Sequence, residues 1–368
     1  MLSKNKKRAI NNVLYVSNSE YFLGGAQRSI YELLKNVDKS KVNPYFASTK
    51  DGELAKAIKE LGIPFLRLHQ FHRTNPLPFI LSLLKLVILI LKNEIDIIHN
   101  NQCFDARYSW IAGKITRTPI IIHHRDTRYY RLDRLLIKHV EYNVCISNWQ
   151  NRELLDCRAV VIHNGIELDK FNPVSESCQN KDGRIEVGLI GRIYPNKGQD
   201  VLIRAAKLVL SSNDKVHFKI IGDINTEAHR GYKNYLRSLV LEYHLENAVE
   251  FTGYANDVVN ALGQLDISVV PSWRESFGRV IIESMACYKP VIATQVGGAL
   301  DIVTDETGIL IPVGDHVALA KALCQLIENP ALRIQMGIAG RKRVEKCFTI
   351  ENTLAKIYAL YAEIQQRN

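Results

Sequence analysis

The side chains best suited to chemistry lie in loops that pair charged residues with glycines. The densest run is Pro271-Ser272-Trp273-Arg274-Glu275-Ser276-Phe277-Gly278-Arg279-Val280-Ile281-Ile282-Glu283. It follows an apolar stretch, 267–270, and opens a helix. The backbone amides of Phe277, Gly278 and Arg279 would stand at that helix's positive end, which suits a phosphate. Glu275 and Glu283 are eight residues apart, about 12 Å if the interval is helical. Carboxylates that far apart cannot act as the close pair of a retaining glycosidase, which stands at about 5 Å. They can instead grip hydroxyls at two ends of an elongated ligand, such as a sugar and a ribose joined by a diphosphate. The plainer alternative makes Glu275 a helix-start carboxylate and Glu283 an ordinary surface residue. Val280, Ile281, Ile282, Met285 and Ala286 make the surroundings of Glu283 too apolar to favour that.

Two further loops carry the same combination. Gly191-Arg192 follows the apolar run 185–190, and Lys197-Gly198 comes shortly after it, ahead of a helix. Arginine offers a planar fork of donors and lysine a compact charge, so together they can hold a diphosphate; a solvated loop is the alternative. Gly24-Gly25 lies between the first apolar run and its helix. Paired glycines there either let backbone approach a phosphate at the helix start or serve a turn that needs positive φ. The dinucleotide pattern G-x-G-x-x-G is absent after both 13–17 and 185–190, which argues against a dehydrogenase.

Apolar β-rich runs alternate with helical patterns along most of the chain. Strands are expected at 13–17, 42–48, 95–99, 120–123, 142–146 and 160–162. A second series is expected at 185–190, 217–221, 249–251, 267–270 and 291–293. Helices at 26–36, 53–61, 201–211 and 280–287 join them. Continuous apolar strands linked by helices imply parallel sheets covered on both faces, an α/β class. The alternation restarts after the polar segment 167–184. The expected division is a first domain at 1–170, a linker at 171–184, a second domain at 185–345 and a terminal helix within 346–368. Ligands bind such sheets at the carboxyl ends of strands, so the glycine-rich loops are where chemistry belongs.

Size and composition agree. A chain of 368 residues exceeds one ordinary core, and its net charge of +10 is uneven. Residues 1–180 hold 26 Lys/Arg against 17 Asp/Glu, whereas 181–368 hold 22 against 21. The first half therefore either carries a basic surface that only aids solubility or faces something anionic: lipid head groups, a diphosphate-linked acceptor or nucleic acid. No nucleic-acid module accompanies the charge, which sets the last aside. Arg128, Arg131, Arg134 and Lys138 recur at helical spacing among Tyr129, Tyr130, Leu132, Leu135 and Leu136. This suits either an anionic membrane surface or a helix packed through its leucines. The seven cysteines are scattered, with no C-x-x-C, so neither a disulfide framework nor a zinc site is expected, and a reducing compartment fits. The basic start lacks the pattern of a signal peptide. The apolar run 77–91 is short for a membrane span and is expected to be a buried helix. A cytoplasmic location, or one on the inner face of the cytoplasmic membrane, follows.

The ordered set of motifs resembles glycosyltransferase family 4. The stretch from Glu275 to Glu283, with Ser276-Phe277-Gly278 inside it, looks like that family's E-x7-E motif. Gly24-Gly25-Ala26, His123-His124-Arg125-Asp126 and Ile162-His163-Asn164-Gly165-Ile166-Glu167 match in the same order. So do Gly191-Arg192 with Lys197-Gly198, Lys289-Pro290-Val291-Ile292-Ala293, and Gly297-Gly298. The resemblance implies the GT-B fold: two Rossmann-like domains whose parallel sheets face across a cleft, with the last helix crossing back to the first. It also implies a retaining hexosyltransferase that uses a nucleotide-sugar as substrate and needs no metal or other cofactor. The absence of D-x-D agrees. Arg192 and Lys197 would then neutralise the leaving diphosphate, Glu275 would bind donor-sugar hydroxyls and Glu283 the ribose. Amides of Gly25, Phe277 and Gly278 would meet phosphate or sugar, and His123 would contact the donor sugar near the acceptor. His124 would point elsewhere. The acceptor hydroxyl would attack on the face the diphosphate leaves, a phosphate oxygen taking its proton.

Three positions depart from the family pattern or have a local explanation. Asp301 stands where the family usually has a glutamate, and Ser284 where it often has alanine. Ser147 matches a family serine, but Ser147-Asn148-Trp149-Gln150 also reads as a helix cap, the preferred reading. The acceptor is expected to be a glycan or lipid-linked sugar in bacterial surface polysaccharide or lipopolysaccharide synthesis. Rival readings are a nucleotide-sugar epimerase or hydrolase on the same plan, and a non-catalytic nucleotide-sugar-binding subunit.

Overall fold

The computed structural model describes residues 11–19, 24–69, 75–126, 131–154, 157–172, 183–224 and 226–367. The chain divides into two compact units, Met1–Gly165 with Ile350–Asn368, and Ile166–Thr349. The expected linker, 171–184, lies mostly outside the described residues.

In the first unit the strands are β1 (Asn11–Val16), β2 (Val42–Ser48), β3 (Phe65–Arg67), β4 (Ile97–Asn100), β5 (Ile120–His124), β6 (Tyr142–Cys145) and β7 (Ala159–Val161). They form one parallel sheet in the order β3-β2-β1-β4-β5-β6-β7. Its helices are α1 (Gly25–Lys35), α2 (Glu53–Glu60), α3 (Leu77–Lys92), α4 (Ala106–Thr116), α5 (Arg131–Ile137) and α6 (Asn148–Arg152). Runs such as Ile120-Ile121-Ile122 are buried throughout, because helices cover both faces of the sheet.

The second unit repeats the scheme with β8 (Ile185–Ile190), β9 (Val216–Ile221), β10 (Val249–Gly253), β11 (Ile267–Val270), β12 (Val291–Thr294) and β13 (Gly308–Ile311). Their parallel order is β10-β9-β8-β11-β12-β13. Its helices are α7 (Gln199–Leu210), α8 (Arg230–Glu242), α9 (Val258–Gly263), α10 (Arg279–Ala286), α11 (Ala299–Ile302), α12 (His316–Glu328) and α13 (Pro330–Cys347). The final helix, α14 (Ile350–Arg367), belongs to the first unit. There Ile350, Leu354, Ile357, Leu360, Tyr361 and Ile364 join a core with Val13, Ile30 and Ile97. In each sheet the strand order reverses once, between β1 and β4 and between β8 and β11. Such a switch point opens a crevice at the carboxyl ends of the strands.

Three expectations change. Edge strands β3 and β13 were not anticipated, since three and four residues are too few to show a period. The apolar run 77–91 does form a helix, but α3 is not buried: only Ser82, Leu86 and Ile90 are. A helix on the outside of a sheet turns one row inward; Phe79, Leu83, Val87 and Leu89 flank that row half-buried, and the opposite face stays apolar and exposed. The helix of the E-x7-E run starts only at Arg279, because Gly278 adopts φ +96° as its cap. Glu275 therefore sits in a loop, and the helical spacing estimate does not apply to the pair. Among the described residues no helix is long and apolar enough to cross a membrane.

Candidate active site

In the second unit three loops meet at the switch point. The first follows β8 and carries Gly191, Arg192, Lys197 and Gly198. The second follows β11 and runs from Pro271 to Gly278. The third follows β12 and contains Gly297-Gly298. Backbone contact holds them together: the Trp273 amide donates to the Asn196 carbonyl at 2.9 Å. Thr294 Oγ1 donates to the Ser272 carbonyl at 2.6 Å. Glycine is required at these crossings. A Cβ on Gly198 would stand 2.1 Å from the Pro271 carbonyl oxygen, one on Gly297 1.5 Å from that of Glu275, and one on Gly298 2.3 Å from that of Phe277. Gly198 and Gly297 also hold φ of +69° and +58°.

These loops bring two of the predicted charges together. Lys197 Nζ donates to Glu275 Oε2 at 2.6 Å, with the two side chains 25% and 15% exposed. Ser272 Oγ lies 3.5 Å from the same oxygen. The lysine stem passes over Gly191, where a Cβ would be 4.0 Å from it. Arg192 is exposed, and its carbonyl accepts from Gln199 Nε2 at 2.8 Å. Glu283 is buried on α10 and receives Arg279 Nε at 2.7 Å, one turn away. That pairing offsets the cost of burying the carboxylate and fixes its orientation. Phe277, buried, precedes the cap Gly278, so both lie at the N-terminus of α10. Ser284 bonds Ser268 of β11 at 2.7 Å inside the core. Asp301 lies in the short α11, and its carbonyl accepts from Arg343. Among the described residues no group of three or more His, Cys, Asp or Glu side chains is placed to hold a metal ion.

In the first unit Gly24 caps α1 with φ −110°, and neither Gly24 nor Gly25 has positive φ. The turn-conformation alternative therefore falls away. His123, at the end of β5, is fully buried. Its Nδ1 lies 3.2 Å from His99 Nε2 and 3.3 Å from an Arg125 terminal nitrogen. Arg125 also bonds Asn101 Oδ1 at 2.7 Å and Asn164 Oδ1. His99 Nδ1 meets the Tyr361 hydroxyl of α14 at 2.5 Å, and Tyr361 meets Tyr15 at 3.0 Å. Guanidinium can only donate, so His123 Nδ1 must accept and its hydrogen resides on Nε2. That nitrogen is buried with no hydrogen-bond partner among the described residues. Burial and the Arg125 charge hold the imidazole of His123 well below its usual pKa, so it is neutral. His124, next on the strand, faces the other way and bonds Asn143 Oδ1 at 2.8 Å. The relay residues His99, Tyr361 and Tyr15 escaped sequence reading. They come from β4, α14 and β1, and no local pattern links them.

Ser147 caps α6, accepting from the Gln150 amide at 3.2 Å, while Gln150 Oε1 accepts from the Ile146 amide at 3.0 Å. The cap reading is correct. Of the basic set on the first unit, Arg128 and the Arg131 side chain lie outside the described residues. Arg134, Leu135 and Lys138 are exposed, whereas Leu136 and Ile137 are buried.

Comparison with known proteins agrees with this architecture. Residues 23–170 match the model described as Glycosyltransferase Family 4, and residues 174–343 match Glycosyl transferases group 1. The chain is 28% identical to a capsular polysaccharide biosynthesis glycosyltransferase, CapM, of Staphylococcus aureus, covering 76% of this chain and 80% of the relative. It is 27% identical to a lipopolysaccharide core biosynthesis mannosyltransferase, LpcC, of Rhizobium leguminosarum, covering 67% of this chain and 72% of the relative. Among solved structures, a glycosyltransferase from Rickettsia africae superposes with a TM-score of 0.87 at 24% identity, covering 98% of this chain and all of that one. HepE of Anabaena, solved with UDP and glucose, gives 0.82 at 23%, covering 95% and 99%. With the two family models spanning nearly the whole chain and the GT-B fold shared with these structures, the protein is a glycosyltransferase of family 4.

Proposed function

We propose that the protein is a retaining, metal-independent hexosyltransferase that moves a sugar from a nucleotide-sugar donor to a glycan or lipid-linked acceptor. The observation that carries this reading is the Lys197–Glu275 pair, held by three glycine-bound loops at the switch point of the second sheet. It puts a cation and a carboxylate beside each other where such sheets bind ligands. Arg192 and Lys197 take the charge that develops on the leaving diphosphate, the work a metal does in other transferases. Glu275 takes donor-sugar hydroxyls. Glu283, oriented by Arg279, takes the ribose, and the amides at the α10 N-terminus take phosphate or sugar. In the first unit Gly24 and Gly25 offer backbone close to the start of α1. His123 offers its Nε2 hydrogen to a sugar oxygen. No general base is needed, because a donor phosphate oxygen receives the acceptor proton on the retained face.

The names of relatives in capsule and lipopolysaccharide synthesis support a role in bacterial surface polysaccharide synthesis. Such an enzyme works in the cytoplasm or at the inner face of the cytoplasmic membrane, and the exposed Arg134 and Lys138 suit anionic lipid there. The test is turnover of UDP-, GDP-, ADP- and dTDP-sugars with oligosaccharide and lipid-linked acceptors, with and without excess chelator. Acceptor-dependent consumption that survives chelation and retains the donor's anomeric configuration is expected. Consumption indifferent to acceptor would favour a hydrolase or epimerase, and chelator loss restored by manganese or magnesium would overturn the metal-free reading.

A further inference from the structure

The helix α3 has two apolar faces. Ser82, Leu86 and Ile90 point into the first unit. On the other side Leu77, Ile80, Leu81, Leu84, Ile88 and Leu91 are 45–61% exposed. At 100° per residue those six fall within an arc of about 100°, diametrically opposite the buried row. This is one continuous aliphatic stripe, not a scatter of surface leucines. Soluble monomers rarely expose apolar patches beyond a few hundred Å², and larger ones mark contact sites.

Charge identifies the occupant. Within Leu77–Lys92 the charged residues are Lys85 and Lys92, both exposed, with no acidic residue. Both lysines fall along one margin of the stripe, where their stems can lie on apolar surface and their ammonium groups can reach outward. The neighbouring helix α4 packs against α3 and exposes Lys114 and Ile115 in its last turn. The half of the sequence that carries this helix holds nearly all of the chain's excess positive charge. At 16 residues, α3 is about 24 Å long, short of the roughly 30 Å hydrocarbon core. An aliphatic face edged by lysines, too short to span, has the make-up of a helix that lies in the plane of a bilayer.

We infer that α3 docks the protein on an anionic lipid surface, laying the stripe Leu77–Leu84–Ile88–Leu91 into the boundary between head groups and acyl chains. This rests on the membrane-face location proposed above, assigns the contact to a different helix, and uses none of the residues assigned to the transfer chemistry. The lysines add attraction to anionic head groups, so binding weakens but persists as salt rises, the aliphatic stripe being insensitive to screening.

The experiment is co-sedimentation of the full chain with vesicles of phosphatidylcholine alone and of phosphatidylcholine mixed with phosphatidylglycerol. Wild type is compared with the double variant Leu84→Glu/Ile88→Glu and, separately, with Arg134→Gln/Lys138→Gln. Wild type should bind the anionic vesicles, and the α3 variant should bind about tenfold less or worse. Both α3 changes are at exposed positions, so the melting temperature and the turnover of donor with a soluble acceptor should stay at wild-type levels. Absence of vesicle binding by wild type that still turns over donor would overturn the inference and leave the transferase reading standing. Binding lost only in the Arg134/Lys138 variant would move the contact to α5. Sedimentation velocity covers the remaining occupant: a wild-type oligomer that the α3 variant dissolves would make the stripe an interface between copies and overturn the lipid assignment.

Discussion

The switch points of the two sheets are built from the same topology but solve opposite problems. In the second unit the loops after β8, β11 and β12 are fastened backbone to backbone at Gly198, Gly297 and Gly298. The charged side chains Lys197 and Glu275 stay partly exposed. In the first unit the corresponding region is a buried polar chain, Tyr15–Tyr361–His99–His123–Arg125–Asn101, closed by side chains from three strand ends and α14. One crevice keeps a charged pair, Lys197 and Glu275, partly exposed where a ligand can reach it. The other suppresses charge on its histidines and spends its polar groups on each other, leaving His123 Nε2 as a donor without a partner among the described residues. The lesson is that a shared fold fixes where a site lies, whereas the local dielectric decides whether its groups act as charges or as neutral donors.

The sharpest way to break this contrast is to remove a charge from the exposed crevice. Lys197→Ala and Arg192→Ala should each lower turnover about a hundredfold at saturating donor, equivalent to about 3 kcal/mol of barrier. Neither side chain supports the core, so urea midpoints should hardly move. Steady-state kinetics beside equilibrium unfolding separate the two effects. Near-normal turnover in either variant would remove that residue from the diphosphate.

The first-unit crevice should betray itself through pH. Burial pulls His99 down to about 3 and His124 to about 4, with His123 also well below its usual value. Burial pushes the carboxyl of Asp105 the other way, to about 7. The signs oppose. Below the unfolded histidine value the unfolded chain takes up three protons that the folded unit refuses, so stability falls as pH falls. Over the same interval the folded unit holds one proton on Asp105 that the unfolded chain releases, which returns part of the loss. Between about pH 6.5 and pH 4 the net is two protons, up to about 2.7 kcal/mol of stability per pH unit. Asp105→Asn removes the opposing group and should steepen the slope toward three protons. Urea unfolding at a series of pH values measures both. A flat profile across that range in the Asp105→Asn variant would mean the histidines titrate freely in the folded state.

Much of this was legible in the chain, for identifiable reasons. Glycine-flanked charges such as Gly191-Arg192 and Lys197-Gly198 are local, and backbone crossing at a strand end leaves a mark in sequence. The parallel strands announced themselves as unbroken apolar runs because both of their faces are covered. Two things could not be read locally. The relay joins Tyr15, His99 and Tyr361 across sequence separations that only the sheet order and the return of α14 bring together. The exposure of α3 was misjudged because a uniformly apolar helix looks the same whether its outer face meets protein or not. Only the packing partner, absent among the described residues, distinguishes the cases.

The smallest expected effect tests how far the buried relay reaches into function. His123 Nδ1 accepts from Arg125, which has no lone pair to offer, and from His99 Nε2; the long 3.2 and 3.3 Å contacts are two donors sharing one lone pair. His99 must then carry its hydrogen on Nε2, with its Nδ1 meeting the Tyr361 hydroxyl, which is bonded in turn to the Tyr15 hydroxyl. Tyr361→Phe deletes the middle of this chain, leaving His99 Nδ1 and the Tyr15 hydroxyl each without its partner. An unsatisfied buried group costs about 1–3 kcal/mol, so the melting temperature should fall by several degrees. Arg125 is untouched by the change, and by itself it obliges His123 to keep hydrogen on Nε2. Long-range proton–nitrogen NMR on histidine-labelled protein should therefore show the same neutral Nε2–H tautomer at His123 in wild type and variant. Turnover should change less than threefold, about 0.6 kcal/mol. Retained stability with a large loss of turnover would reverse the assignment, making Tyr361 a positioning residue for the chemistry and not a staple that ties α14 to β4.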